Sequence, residues 1–173
     1  LDRQLAGPAL SILSGDDELT LTMMRDDDIR ACGVISVLSN IAPGASGGMV
    51  RAQVSGDTEE AQRLTEALAP VLRLVTCSVT AVRTLPNGQS VEVTDKFRNP
   101  VPVKTMMAGL GMIDSTKRPP LGPMSPTAVG QCREALRQVH RADPGILGPI
   151  EEAFEVRIDQ RLGDDARWSS LAR

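Results

Sequence analysis

Two short apolar segments, each followed by a helical pattern, constrain this chain most. Residues 9–14 and 32–38 are rich in aliphatic and β-branched side chains and are bounded by glycines or polar turns, which is typical of buried strands in a parallel sheet. Helical spacing covers residues 18–24 between them, and Pro43 starts a second helix after the second segment. This order predicts parallel strands that are joined by crossover helices.

The rest of the chain is predicted to be mainly helical. Residues 58–76 place apolar side chains on one face of a long amphipathic helix. Residues 78–84 and 89–94 alternate between β-branched or apolar and polar side chains on either side of an Asn-Gly turn. This pattern is the strongest short signal for a β-hairpin. Further helices are predicted over residues 99–110, 126–141 and 146–160. A sheet of two parallel strands is too small for this many helices to pack on its faces. We therefore expect neighbouring strands beyond this segment.

Composition excludes several classes of protein. The 173 residues carry 19 Lys and Arg against 22 Asp and Glu, a net charge of -3 that argues against a nucleic-acid partner. No run of 18 apolar residues is long enough to cross a membrane, so we expect no membrane partner either. The sequence contains no tyrosine and therefore no tyrosine acid or nucleophile. Its start at Leu1 suggests a piece of a longer protein.

The spacing of the cysteines, the histidine and the acidic groups does not match a known metal site or catalytic triad. The three cysteines, Cys32, Cys77 and Cys132, lack C-x-x-C spacing and predict free thiols in a reducing cytoplasm. His140 is the single histidine and lies in a helical pattern, where a surface position is the simplest interpretation. The acidic groups at residues 16–18 and 26–28 lack the alternate spacing of a calcium loop. Helix capping explains them, with Asp16 or Asp17 as the N-cap of the first helix.

The lysines are the remaining candidates for covalent catalysis. A Schiff-base lysine needs a desolvated position, such as the end of a barrel strand, where burial lowers its pKa. Lys96 closes the predicted hairpin, Lys104 lies at a helix start and Lys117 lies in a polar turn. We therefore expect all three to be solvated or paired with carboxylates, and we predict no catalytic side chain in this chain.

Four motifs in sequence order resemble the carboxyl-terminal half of the dihydrodipicolinate synthase family, also called 4-hydroxy-tetrahydrodipicolinate synthase. The motifs are Leu13-Ser14-Gly15-Asp16-Asp17, Gly33-Val34-Ile35-Ser36-Val37 with Asn40, Asn99-Pro100-Val101-Pro102-Val103-Lys104 and Arg118-Pro119-Pro120-Leu121. The resemblance covers roughly residues 5–142. Sister aldolases such as N-acetylneuraminate lyase share the architecture, but the first and third motifs favour the synthase.

The resemblance implies an α/β fold that is the last part of a TIM (β/α)8 barrel. Residues 9–14 and 32–38 would be the seventh and eighth strands, with residues 1–56 forming the last βα units. Residues 57–173 would form a C-terminal helical domain with an inserted β-hairpin around residues 78–95. In such barrels the active site lies at the carboxyl ends of the strands. The hairpin and the stretch from about residue 146 depart from the family pattern.

The resemblance also implies a lyase of lysine and diaminopimelate biosynthesis. Family members hold pyruvate as an imine on a lysine of an earlier strand and join it to aspartate semialdehyde, without a metal or cofactor. That lysine would lie outside this chain, whose implied share of the substrate site is the main chain of Ile35, with Gly15 and Asp16 beside it. The implied partners are the missing N-terminal half of the barrel and further copies of the chain in a homo-oligomer.

Two other interpretations stay open at this point. The chain could be a non-catalytic interaction or assembly domain that retains only the family's carboxyl-terminal half. It could also be a fragment of a sister pyruvate aldolase such as N-acetylneuraminate lyase. A reading frame that supplies half a barrel upstream, with a lysine ending a strand, would distinguish the lyase from the assembly domain.

Overall fold

Two short parallel strands open the fold. The computed structural model of the chain describes residue 7, residues 10–114 and residues 118–172. Strand β1 (Leu13–Ser14) pairs with β2 (Gly33–Val34), with Leu13 opposite Gly33 and Ser14 opposite Val34. Helix α1 (Thr20–Arg25) connects them, so this is the predicted strand, helix, strand unit.

Both strands are much shorter than the sequence predicts. The expectation of strands over residues 9–14 and 32–38 is wrong in length, since only two residues of each form a regular ladder, and residue 9 lies outside the described residues. One further hydrogen bond extends the pairing at each end, from the Cys32 N–H to the Ile12 carbonyl and from the Ile35 N–H to the Ser14 carbonyl. A parallel ladder is sustained by neighbours on both sides, and each strand here pairs on one side only within the described part.

Two antiparallel helices follow the strands. Helix α2 (Pro43–Ser55) begins at the predicted proline and packs against α3 (Thr58–Leu72). The Asp57 carboxylate caps α3 by accepting the Glu60 N–H at 3.0 Å. The helix predicted over residues 58–76 therefore exists but ends at Leu72, four residues early. Pro70, which has no N–H to donate, lies in its last turn.

A β-hairpin separates α3 from the later helices. Strands β3 (Cys77–Thr84) and β4 (Ser90–Phe97) pair antiparallel over eight residues each. Gly88 closes the turn with a φ of 82°, a conformation that glycine adopts without strain. The hairpin packs on the core only at its base, where Cys77 and Val79 are buried, and its outer part is exposed.

Five helices complete the described chain. They are α4 (Val101–Leu110), α5 (Pro126–Ala142), α6 (Gly148–Phe154), α7 (Ile158–Gly163) and α8 (Asp165–Ser170). Helix α5 lies at the centre, where it contacts α3, α4, α8 and β3. Its apolar face supplies fully buried side chains such as Cys132 and Leu136. None of the helices in the described ranges is long and apolar enough to traverse a bilayer.

The single helix predicted over residues 146–160 is wrong. Glu155 has a φ of 52° and ends α6, and the next helix begins at Ile158. The break lets both Val156 and Ile158 become buried, and the Glu151 carboxylate accepts the Ile158 N–H at 2.8 Å. The short helix α8, which the pattern did not reveal, starts at the Asp164 carboxylate cap.

One apolar cluster runs through the whole described fold. Its buried members extend from Leu21 near the first strands to Leu171 near the carboxyl terminus. This cluster includes residues on both sides of the predicted domain boundary between residues 56 and 57. The division into two domains stays a prediction.

Trp168 packs directly against Gly109 in this core. A Cβ atom at Gly109 would lie 2.1 Å from Cη2 of Trp168, well inside van der Waals contact. The indole is 2% exposed, and its N–H donates to the Arg161 carbonyl at 2.8 Å. Glycine at position 109 thus allows α8 to approach α4.

Gly109→Ala should lower the free energy of unfolding by about 1–3 kcal/mol, because the added methyl group displaces the Trp168 ring. Gly130→Ala is the matched control: it also replaces a helical glycine, but the new methyl group meets no atom within 4 Å. It should raise stability by up to about 1 kcal/mol through helix propensity. Urea unfolding of both variants measures the difference, and equal effects would contradict the packing argument.

Candidate functional site

The carboxyl ends of β1 and β2 lie at one edge of the fold. Gly15 directly follows Ser14 in β1, and Ile35 directly follows Val34 in β2. Because the strands are parallel and in register, Gly15 and Ile35 share this edge. We call it the strand-end rim, and it extends through residues 15–18 and 35–40.

Ile35 presents its side chain and its carbonyl at the rim. The residue is 69% exposed, which is unusual for a large apolar side chain next to a strand. Its N–H is engaged by the Ser14 carbonyl at 2.8 Å. No donor in the described part of the chain contacts the Ile35 carbonyl oxygen.

Asp16 is held by a compact set of local hydrogen bonds. Its carboxylate accepts the N–H groups of Glu18 and Leu19, at 2.8 and 3.3 Å. Its main-chain carbonyl accepts the hydroxyls of Ser14 and Thr20, at 2.7 and 2.9 Å, and both hydroxyl residues are fully buried. Asp16 therefore orders the loop that carries Gly15, and its carboxylate is engaged by main-chain N–H donors.

Asp17 ties the two strand ends together. Its carboxylate accepts the N–H groups of Val37 and Leu38, at 2.9 and 3.2 Å, and so caps a 3-10 turn (Leu38–Asn40). The expectation that Asp16 or Asp17 is the N-cap of the first helix is wrong: α1 begins at Thr20 with Leu19 in the N-cap position and no side-chain cap. Local spacing could not reveal a partner 20 residues away.

A cleft of about 320 Å³ opens beside the rim. Residues of the rim and of the chain after α3 line it: Gly15, Asp16, Asp17, Glu18, Val37, Leu72, Arg73, Val75 and Thr76. Of the sequence-predicted site residues, the structure therefore brings Gly15 and Asp16 to the cleft and leaves Ile35 outside it. Arg73, which supplies a cation there, was missed because it follows a helix without any motif.

No lysine or cysteine among the described residues lines this cleft. Lys96 is exposed on β4, and Lys104 lies in the first turn of α4. Lys117 lies outside the described residues. Burial raises the pKa of the Cys77 thiol, and burial together with nearby Cys77 raises that of Cys132 to about 12. Both thiols therefore stay protonated and unreactive at neutral pH.

His140 does not belong to a catalytic cluster. Its Nε2 lies 3.0 Å from Oδ1 of Asp159, which is itself mostly exposed. The ring is half-buried against the core, so the expected surface histidine is partly covered. No group of three His, Cys, Asp or Glu side chains in the described ranges is arranged to hold a metal ion.

Comparison with known proteins places the chain in a family of lyases. A model of the dihydrodipicolinate synthetase family matches residues 2–139, so the chain belongs to this family, as its motifs predict. The 4-hydroxy-tetrahydrodipicolinate synthase of Thermomicrobium roseum is 35% identical over 147 residues, which cover 85% of this chain and 41% of that protein. The Methanothrix thermoacetophila synthase is 36% identical over 129 residues, or 75% and 36% of the two chains.

Solved structures give the same result. The 4-hydroxy-tetrahydrodipicolinate synthase of Methylacidiphilum fumariolicum SolV matches with a TM-score of 0.59 and 31% identity, covering 83% of this chain and 39% of that one. The dihydrodipicolinate synthase of Aquifex aeolicus matches with a TM-score of 0.59 and 33% identity, over 76% and 38%. The chain is thus an α/β protein that matches part of the fold of these enzymes, and it spans about two-fifths of the relatives it matches.

Asp17→Ala should lower the free energy of unfolding by about 1–2 kcal/mol, because the N–H groups of Val37 and Leu38 lose their acceptor. Asp17→Asn keeps an acceptor oxygen and should retain much of this stability. Glu18→Ala, a change at the exposed neighbouring carboxylate, should stay within about 0.5 kcal/mol of the parent. Chemical unfolding measures all three, and an equal effect of Asp17→Ala and Glu18→Ala would contradict the cap.

Proposed function

We propose that this chain supplies the carboxyl-terminal part of a class I aldolase-type lyase resembling 4-hydroxy-tetrahydrodipicolinate synthase. The complete enzyme would join pyruvate to aspartate semialdehyde in lysine and diaminopimelate biosynthesis, in the cytoplasm. The observation that carries this proposal is the placement of Gly15 and Ile35 at one edge of a parallel strand pair in a chain of this family.

The strand-end rim would form one wall of the substrate site. In the proposed enzyme, pyruvate is bound as a cationic imine, and the Ile35 carbonyl directs its dipole at that charge. The carbonyl suits this role because no donor among the described residues uses it. Gly15 leaves room for substrate, since a Cβ atom there would meet nothing within 4 Å. Asp16 would contribute by ordering the loop, not by proton transfer.

The imine-forming lysine would come from an earlier strand of the barrel. Neither Lys96 nor Lys104 lines the cleft beside the rim, which supports this assignment. β1 and β2 would be the seventh and eighth strands of the (β/α)8 barrel. The apolar side chains of Leu10, Leu13 and Ile35, which are 45%, 46% and 69% exposed, would then be covered by the missing strands or by another copy in a homo-oligomer.

Neither alternative gains support from the relatives described above. Each of them carries the synthase name, so the comparisons do not favour a sister aldolase such as N-acetylneuraminate lyase. A non-catalytic assembly domain likewise has no specific observation in its favour.

The 173-residue chain should not form an imine with pyruvate, because none of its described lysines is desolvated at a strand end. The chain is incubated with pyruvate and sodium borohydride, and its mass is measured before and after tryptic digestion. An unchanged mass is expected. A reduced pyruvyl adduct on Lys104 would overturn the assignment of the lysine to an earlier strand.

The role of Ile35 is tested in the complete reading frame that contains this chain. That protein should consume aspartate semialdehyde only when pyruvate is present. Ile35→Pro removes the N–H that donates to Ser14 and distorts the strand end, so kcat/KM should fall by at least about tenfold. Ile35→Val keeps the main chain and should change kcat/KM less than about threefold. A folded parent protein without activity would contradict the proposed function, and a strong loss in Ile35→Val would contradict the main-chain role.

A further inference from the structure

The outer edge of the hairpin carries a row of backbone groups without partners in the described fold. The Leu85 N–H donates to the Gln89 carbonyl at 2.8 Å, and antiparallel hydrogen bonding alternates along the strands from that pair. Odd-numbered residues of β4 therefore bond to β3. The even-numbered residues turn their N–H and C=O groups outward: Ser90, Glu92, Thr94 and Lys96. Within the described ranges, β3 is the strand that pairs with β4.

The side chains along this edge are exposed. All four even-numbered residues of β4 are accessible to solvent, and so is the neighbouring even-numbered face of β3, where Val82 is 68% exposed. An isolated two-stranded hairpin is marginally stable in water, and an open edge of this length is a template for another strand.

We propose that β4 pairs antiparallel with β4 of a second copy of this chain, about a twofold axis that passes between the two Thr94 residues. This register makes Thr94 face Thr94, and Glu92 of each copy face Lys96 of the other. The main-chain groups of these residues point outward from the hairpin. The Thr94–Thr94 pair and the two symmetry-related Glu92–Lys96 pairs can therefore each exchange two main-chain hydrogen bonds. The two hairpins join into one four-stranded antiparallel sheet.

Charge complementarity selects this register. An axis at Glu92 would place two glutamates opposite each other, and an axis at Lys96 would place two lysines there; like charges directly opposite are unfavourable. An intermediate axis places Glu92 opposite Thr94, or Thr94 opposite Lys96, and loses both Glu92–Lys96 pairs. The Thr94 axis is the one that places both Glu92 residues opposite Lys96 within the span of β4 (Ser90–Phe97).

The opposite face of the strand is compatible with the same register. It brings Val91 of each copy opposite Phe97 of the other, and both side chains are half-buried in the single chain. Branched aliphatic and aromatic side chains form favourable cross-strand pairs. Val93 would face Asp95, whose carboxylate already pairs with Arg83 on β3, so no unpaired charge is introduced there.

Lysine on an edge strand commonly blocks such pairing. In the proposed register each Lys96 faces Glu92 of the other copy, so the lysine favours pairing there. In a register centred on Lys96 two lysines would face each other and oppose pairing. The inference concerns assembly and stands apart from the proposed lyase activity. It commits to a second copy of this chain as the occupant of the edge.

Charge reversal separates this interface from association at any other surface. Analytical ultracentrifugation of the chain should show a monomer–dimer equilibrium. Glu92→Lys places lysines opposite lysines and should raise the dissociation constant by about tenfold or more. The double variant Glu92→Lys/Lys96→Glu restores opposite charges in the same register and should restore the dimer. Glu152→Lys, an equal change of charge at an exposed residue of α6, should leave the equilibrium unchanged.

A crosslink tests the position of the axis. In a background with the exposed Cys32 changed to serine, Thr94→Cys should give a reducible dimer on mild oxidation, since facing Cα atoms in a hydrogen-bonded pair lie within disulfide range, at about 5.5 Å. Val82→Cys is the control, because Val82 is also exposed but lies on β3, away from the edge.

The proposal is overturned by any of three results. The chain could remain a monomer at all concentrations, as it would if another segment of its own polypeptide covered β4. Association could persist unchanged in Glu92→Lys, which would place it elsewhere, for example at the open edges of β1 and β2. Val82→Cys could crosslink as readily as Thr94→Cys, which would exclude the Thr94 axis.

Discussion

The apolar face of α5 is the contact on which the rest of the structure depends. Helices α3, α4 and α8 and the base of the hairpin all pack against it, and its buried residues include Val129, Cys132, Leu136 and Val139. The hydrophobic effect favours this arrangement because each of those elements buries apolar side chains against α5. The exposed outer hairpin and the open strand edges lie where this core does not reach.

The candidate site is positioned by that core through two connections. Helix α3 packs on α5 and carries the residues after its end, including Arg73 and Val75, to one side of the cleft. The Asp17 carboxylate then binds the turn after β2 to the loop after β1. This carboxylate therefore adds a connection between two strand ends that share only a short ladder and one further main-chain hydrogen bond.

Much of this architecture could be predicted from local sequence. The βα order, the proline that begins α2, the amphipathic α3 and the turn at Gly88 each depend on residues within a few positions of one another, and those signals located the corresponding elements. The family motifs likewise predicted the family to which the chain belongs. The lengths of β1 and β2 were overestimated because an apolar run shows that a segment can be buried, whereas a ladder also requires a partner strand. The helix over residues 146–160 was wrong for a related reason: burial of Val156 and Ile158 outweighed helical continuity.

By itself, the sequence determined the βα order, the helices α2, α3 and α5 and the hairpin turn, because hydrophobic period, capping and glycine or proline conformation act over a few residues. Only the tertiary structure decided which distant groups meet. The carboxylate of Asp17 serves a turn 20 residues away, the Trp168 ring occupies the space that Gly109 leaves, and Arg73 joins a cleft with residues from the first strand. These contacts depend on how helices pack around α5, and packing is a property of three-dimensional shape that no local pattern encodes.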